Sequence, residues 1–339
     1  MTDKYGYITH HANINKEKLD LCEKIFSKCE FDETKYTIII PEYRRPGTVK
    51  EALLSALNQD YKESYEVLLT SDGQSKEEDE VERIIRELSE EYSNISYYRN
   101  TTNVGMFGNW NNCISNAKGK WIVVLPDDDL LSPYFLSTVD RFICDNDFTG
   151  MIGSKPHKIV GKVLYNPNDF SKPDINCGVT WIDNYGAFFD DGVSVTGMTF
   201  DKESILSMGG FQEEFYPVSD SVCMINYALN NKLVRLHADI SAYRIDDNVS
   251  QSKGVLEKIL QYAARMKETV SETNPELEKF YRRYKSEIMH DYIVNAEHTW
   301  GTTVRKSDVT EEVKCGFEYS KIKYYMMKVQ RKIMKMKHR

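Results

Sequence analysis

The feature that most constrains this chain is a regular alternation of short apolar runs and amphipathic stretches between residues 36 and 125. Tyr36-Thr-Ile-Ile-Ile-Pro41 is β-branched and stopped by proline, which reads as a buried strand. Val49 to Leu57 has helical spacing, with Val49, Leu53, Ala56 and Leu57 on one face. Tyr65 to Thr70 reads as a second strand, Glu77 to Tyr92 as a charged amphipathic helix and Ile95 to Tyr98 as a third strand. Met106 to Ala117 reads as a helix closed by Lys118-Gly119, and Trp121 to Leu125 as a fourth strand. Strands alternating with helices imply βαβ units and a mainly parallel sheet. In such sheets ligands bind beyond the carboxyl ends of the strands. The polar residues just past those ends are Glu42, Tyr43, Asp72 and Asp127 to Asp129.

Outside this block the pattern is looser. Residues 1–34 read as an N-terminal extension with a helical stretch from Lys16 to Lys28. The texture from 150 to 250 is mixed, and from 254 to 300 it is helical again, with Leu256, Ile259, Leu260 and Ala263 on one face. From Lys321 to Arg339 there are eight Lys or Arg and no Asp or Glu. Ile322, Met326, Val329, Ile333 and Met336 recur there at four- and three-residue spacing, which makes a basic amphipathic helix. The rest of the chain has 36 basic against 52 acidic side chains, a net −16, so an acidic body carries a basic tail. The overall charge of −8 argues against a general nucleic-acid binder. No apolar run approaches the ~18 residues of a membrane span. Seven scattered cysteines without C-x-x-C spacing favour reduced thiols in a cytoplasmic protein rather than a zinc site.

Three adjacent carboxylates, Asp127-Asp128-Asp129, repel one another unless a cation or hydrogen-bond donors offset the charge. Oxygen ligands suit Mg²⁺ or Mn²⁺, which bind through one or two carboxylates plus substrate phosphates. A solvated acidic turn or a helix cap is the plainer alternative. Asp72, in Ser71-Asp-Gly73, either ends a strand at a ligand site or forms an ordinary Asp-Gly turn. Asn103 to Asn112 places Gly105 and Gly108 where backbone could approach a ligand, without the P-loop ending. Asp220, before the helical stretch Val222 to Leu229, is either an N-cap or a general base able to take a proton from a hydroxyl.

Read together, these segments resemble family 2 glycosyltransferases of the GT-A fold. The resemblance rests on Ile38-Ile-Ile-Pro-Glu-Tyr43, Ala52 to Tyr61, Ser71-Asp-Gly73, Asn103-Val-Gly105 with Asn109-Trp-Asn111, Ala117 to Lys120, Leu125 to Pro133, Gly209 to Glu213, Asp220 and Tyr243-Arg-Ile-Asp246, in the family's order. It covers roughly residues 36–252. It implies an α/β GT-A domain over 35–252, between the extension 1–34 and a C-terminal helical region 253–339 with its basic tail 321–339. It also implies an inverting transfer of sugar from a nucleotide-sugar, a UDP-sugar above others, to a glycan or polyprenyl-diphosphate-linked acceptor in polysaccharide or glycolipid biosynthesis. In that reading Pro41, Tyr43, Asp72, Asn103, Gly105 and Asp127 hold the nucleotide, with Tyr43 on the uracil, Asp72 bonded to the base and Asp127 beside the ribose. Asp128 and Asp129 bind Mn²⁺ or Mg²⁺ in a DXD-like motif, and Asp220 is the catalytic base. The chain departs from the family pattern at Pro126, where Asp is common, at Glu42, at Trp110 and at Asp246, where His is common. A nucleotidyltransferase, kept open by Arg44-Arg45-Pro46-Gly47, and a catalytically inactive nucleotide- or carbohydrate-binding protein are the alternatives. The tail reads as a peripheral contact with the inner face of the cell membrane, as a helix docked on the protein's own body, or as a contact in a homodimer.

Overall fold

The structure is a computed structural model and describes residues 3–8, 14–161, 163–174, 177–189, 192–245 and 253–338. Asp246 and Arg339 lie outside the described residues.

Among the described residues twelve strands form two sheets. They are β1 (Cys22–Ser27), β2 (Thr34–Glu42), β3 (Glu66–Ser71), β4 (Ile95–Asn100), β5 (Gly119–Val124), β6 (Leu130–Leu131), β7 (Met151–Gly153), β8 (His157–Val160), β9 (Val179–Ile182), β10 (Met198–Asp201), β11 (Leu233–Leu236) and β12 (Ser241–Ile245). The large sheet has the order β1-β4-β3-β2-β5-β10-β7-β11-β9, and β6-β12-β8 form a small second sheet. The run β4-β3-β2-β5 is parallel throughout, with Ile38 opposite Val67 on one side and Val123 on the other. β10 joins antiparallel to β5 and β7, while β7 and β11 pair in parallel.

The core follows from the two-residue period of a strand. Ile38, Ile40, Val67, Leu69 and Val123 pack in one cluster, together with apolar residues of the helices Pro46–Leu57, Lys76–Leu88 and Phe135–Asn146. Ile39, Leu68, Ile122 and Val124 pack in another, with the helices Met106–Asn116 and Ser219–Asn230. Helix starts are set locally. Pro46 stands in the first turn of its helix, Ser75 accepts from the Glu77 N–H, and Asn274 accepts from the Glu276 and Leu277 N–H groups ahead of Pro275. Gly119 opens β5 where a Cβ would lie 2.3 Å from the Thr37 backbone nitrogen, so the close approach of β5 to β2 requires glycine.

The expected helix over Lys16 to Lys28 is not what forms. The helix stops at Leu19, and Cys22–Ser27 pairs antiparallel with β4 as the edge strand of the large sheet. An open sheet edge offers a row of unpaired backbone groups, and satisfying it outweighs the local helical spacing. The stretch from 254 to 300 divides into helices Lys253–Ser271 and Pro275–Trp300. These pack with Tyr185, Phe188, Phe189 and the helix Lys321–Lys337 into a separate cluster.

Candidate active site

β2, β3 and β5 end side by side, so the residues that follow them converge on one cleft. Its volume is about 690 Å³, and its walls include Pro41, Tyr43, Arg45, Asp72, Asn103, Gly105, Trp110, Asp127, Asp128, Asp220 and Tyr243. Eight of the nine residues expected to act as site residues are thus gathered together. Asp129 is the exception.

Pro41 and Glu42 are the last residues of β2 to pair with β3. Glu42 is fully buried and acts inside the protein. Its carboxylate accepts from the Arg45 N–H at 2.8 Å and from the Ser71 hydroxyl at 2.8 Å, tying the turn after β2 to the end of β3. That turn leaves Tyr43 at the rim, 45% exposed, with the Arg44 guanidinium 5.1 Å from its ring centroid. The guanidinium covers part of the ring, and the rest of the side chain borders the cleft.

Asp72 is buried and builds the loop opposite. Oδ1 accepts from the Val104 N–H at 2.8 Å and from Asn100 Nδ2 at 3.0 Å, and Oδ2 accepts from the Gly105 N–H at 3.1 Å. Burial pushes its carboxyl above the ordinary value, against the pull of those donors. Gly105 has φ +85°, a conformation that favours glycine, and lies in the cleft wall. Gly108 does not reach the ligand side, because it packs beneath Val104 and Lys18.

The run after Gly108 is a scaffold that sequence reasoning missed. Asn109 Nδ2 donates to the carbonyls of Thr70 at 3.0 Å and Glu42 at 3.3 Å, linking the ends of β3 and β2. Asn111 exchanges hydrogen bonds with the Phe211 backbone at 2.9 and 2.8 Å. Asn112 donates to Asn100 Oδ1 at 2.7 Å and to the Lys18 carbonyl at 3.1 Å. Trp110 packs edge-on against Phe107 and Phe211 while lining the cleft.

The three consecutive aspartates do three different things. Asp127 is buried. Its Oδ2 accepts from the Tyr43 N–H at 3.1 Å, and its Oδ1 lies 3.4 Å from Arg45 Nη1. Burial drives its carboxyl well above the carboxylate range while Arg45 pulls the other way. Asp128 faces the same guanidinium in an ion pair. Asp129, expected beside Asp128 as a metal ligand, is turned into the protein. Its oxygens accept from Thr196 Oγ1 at 2.5 Å and from the Arg244 N–H at 2.8 Å, and burial pushes it up to about 7. Both carboxylate oxygens thus accept from donors inside the protein, and Asp129 does not line the cleft. Arg244, itself buried, also donates from Nε to the Asp128 carbonyl at 2.7 Å and clamps the turn.

Two cations stand at the site, and only one of them was legible in the sequence. Arg45 sits between the β2 end and the aspartates, and Lys18 reaches the cleft from the N-terminal segment. Lys18 Nζ donates to the Val104 carbonyl at 2.7 Å and pairs with Glu213. Nothing in the local pattern around Lys18 marks that long-range position. Arg45 was legible within Arg44-Arg45-Pro46-Gly47, three residues past a strand end, although not as the partner of the aspartates.

Asp220 stands in the first turn of the helix Ser219–Asn230 and lines the same cleft. It is half-buried, and desolvation pushes its carboxyl up to about 6 despite the backbone donors near it. Among the described residues no group of three His, Cys, Asp or Glu is set to hold a metal ion by itself. Asp127 and Asp128 still fit a hard cation that takes its remaining ligands from phosphate oxygens, since Mg²⁺-type sites use one or two carboxylates in that way. In the present arrangement Arg45 supplies the compensating charge.

A sequence model of the family described as Glycosyl transferase family 2 matches residues 37–198, which run from β2 through the cleft's acidic turn to β10. Residues 37–198 thus carry a glycosyltransferase family 2 domain. It is 26% identical over 261 residues to the GalNAc(5)-diNAcBac-PP-undecaprenol beta-1,3-glucosyltransferase of Campylobacter jejuni, covering 74% of this chain and 78% of that one. Uncharacterized glycosyltransferases of Rickettsia conorii and Haemophilus influenzae are 31% and 33% identical over 44% and 29% of the chain. They cover 24% and 30% of those relatives. Residues 1–349 of S. aureus TarS in complex with UDP-GlcNAc superpose with a TM-score of 0.55 at 15% identity, over 81% of this chain and 83% of that one. Against the longer TarS chain the TM-score is 0.54, and this chain spans 50% of its length. These structures establish the GT-A fold. With that domain and these glycosyltransferase relatives the chain is a glycosyltransferase, and the nucleotidyltransferase alternative falls away.

Proposed function

We propose that this enzyme moves a sugar, with inversion, from a nucleotide-sugar to a glycan carried on a lipid diphosphate, at the cytoplasmic face of a membrane. UDP-sugar is the favoured donor. The observation that carries the reading is the single cleft that gathers an aromatic ring, a buried acid at the end of β3, two carboxylates after β5 and, from the helix Ser219–Asn230, a carboxylate raised to about 6. The TarS complex with UDP-GlcNAc supports the donor class, and the undecaprenol-linked glycan in the Campylobacter enzyme's name supports the acceptor class.

Tyr43 stacks on the base, and Asp72 faces its polar edge while holding the loop of Asn103 and Gly105 against the nucleotide. Asp127 lies beside the ribose. Asp128 and Asp127 would hold Mn²⁺ or Mg²⁺, which would supply neutralisation of the charge growing on the leaving diphosphate. Asp129 is not assigned to that shell. Asp220 accepts the proton of the acceptor hydroxyl as its oxygen attacks the anomeric carbon. The bond from that carbon to the diphosphate breaks on the opposite face, and the nucleoside diphosphate leaves. A base with a pKa of about 6 is ionised at neutral pH and still basic enough to share a proton.

The test is turnover of UDP-sugars, read as UDP release, with polyprenyl-diphosphate-linked glycans as acceptors. The reading expects release that depends on both partners and is lost in Asp220→Asn without loss of UDP binding. Acceptor-dependent release that survives in Asp220→Asn would remove Asp220 as the base.

A further inference from the structure

The C-terminal helix carries two stripes, and only one of them is used inside the protein. Met327 and Met334 are each 1% exposed and pack into the C-terminal helical cluster. Beside them Tyr324 Oη and Lys328 Nζ donate to Asp291 at 2.7 Å, and Arg331 donates to Asp291 at 3.3 Å and to the Phe189 carbonyl at 2.9 Å. Tyr284 Oη donates to Gln330 Oε1 at 3.1 Å. This inner stripe holds the helix rigidly against Pro275–Trp300.

The outer stripe is Ile322, Tyr325, Met326, Val329, Ile333 and Met336, between 45% and 75% exposed. Ordinary surfaces scatter such side chains singly, whereas these lie in one line along Lys321–Lys337. Lys321, Lys323, Lys332 and Lys337 are exposed around it, and the helix has no carboxylate.

We propose that this outer face is a docking surface for an anionic lipid bilayer. The helix lies in the interface plane, its apolar line inserted below the headgroups and its lysines among the lipid phosphates. Charge complementarity selects this occupant. A second copy of the same face would bring lysine rows against lysine rows with no acid to pair them, whereas an anionic leaflet satisfies both the apolar line and the positive flank. The helix is about 25 Å long, so it lies along a surface and does not cross one. No described helix is long and apolar enough to span a membrane. Lipid docking follows from the helix alone. That it brings the cleft to a lipid-linked acceptor rests on the function proposed above.

The experiment is co-sedimentation of the full chain with vesicles of phosphatidylcholine containing phosphatidylglycerol, against vesicles of phosphatidylcholine alone. Binding to the anionic vesicles is expected, weakened by salt and by neutral lipid. The variant Ile322→Ser/Val329→Ser/Ile333→Ser, whose changes touch only the exposed stripe, should lower the bound fraction at least tenfold with an unchanged melting curve. Lys323→Glu/Lys332→Glu/Lys337→Glu should do the same on anionic vesicles. UDP release with a short water-soluble acceptor should be unaffected in both variants. Equal sedimentation of wild type and serine variant overturns the proposal. So does a wild-type dimer, seen by analytical ultracentrifugation, that becomes monomeric in the serine variant. Vesicle binding with UDP release that polyprenyl-diphosphate-linked glycans do not stimulate would instead leave the lipid surface standing and remove the acceptor reading.

Discussion

Arg45 occupies the place that a divalent cation would need, and replacing it by Gln tests that competition. Its guanidinium pairs with Asp128 and lies 3.4 Å from Asp127. A unit pair at ~4 Å and an effective dielectric of ~20 is worth about 4 kcal/mol. The Arg45 side chain is 31% exposed, against 10% and 12% for the two aspartates, so solvent screening reduces that figure. About 1–2 kcal/mol remains as the cost of moving the guanidinium aside for a cation. Gln keeps the stem and the backbone N–H bond to Glu42, and so leaves the turn in place. Arg45→Gln should therefore bind Mn²⁺ roughly 5–30-fold more tightly in the absence of any donor. Free Mn²⁺ measured by electron paramagnetic resonance in a titration of the protein reads this directly. Arg45→Gln should also weaken UDP binding if the displaced guanidinium turns to the diphosphate. Unchanged or weaker Mn²⁺ binding in the variant would refute the reasoning, because the guanidinium would then not be what the ion displaces.

The pH dependence of kcat/KM should follow Asp220. Its carboxyl, raised to about 6 by burial, is the base only when ionised, so the rate should fall about tenfold per pH unit below that value and level off above it. Asp220→Asn should lose roughly 10²–10⁴ in kcat and flatten the profile, measured as UDP release across pH. Gly119→Ala should destabilise the fold by about 3 kcal/mol in urea unfolding, because the added Cβ meets the Thr37 backbone at 2.3 Å and neither strand can retreat.

The central strands were legible because each carries an unbroken apolar run that the two-residue period divides between two helical layers. Ile38 and Ile40 go to one layer and Ile39 to the other. The cleft was legible for the same reason, since strand ends in a parallel sheet place their next residues together. The segment Cys22–Ser27 was not, because its partner is β4, some seventy residues away, and a free sheet edge decides its conformation. Asp129 looked equivalent to Asp128 in the sequence. What separates them is the turn into β6, which points the third aspartate at Thr196 and Arg244. Lys18 could not be found, since its position depends on how the N-terminal segment crosses the helix Met106–Asn116. The basic tail was legible as amphipathic, but not which side would be covered. Asp291 and the Met327 and Met334 pockets decide that, and they leave the predicted apolar stripe outward.

The most direct test of the account is calorimetric titration of UDP into the protein, first with Mn²⁺ and then with excess chelator, repeated on Asp128→Asn and Asp72→Asn. The account predicts binding that weakens on chelation, that weakens in Asp128→Asn while losing its metal dependence, and that weakens in Asp72→Asn while keeping it. UDP binding that ignores the metal and both substitutions would contradict the placement of the nucleotide in this cleft.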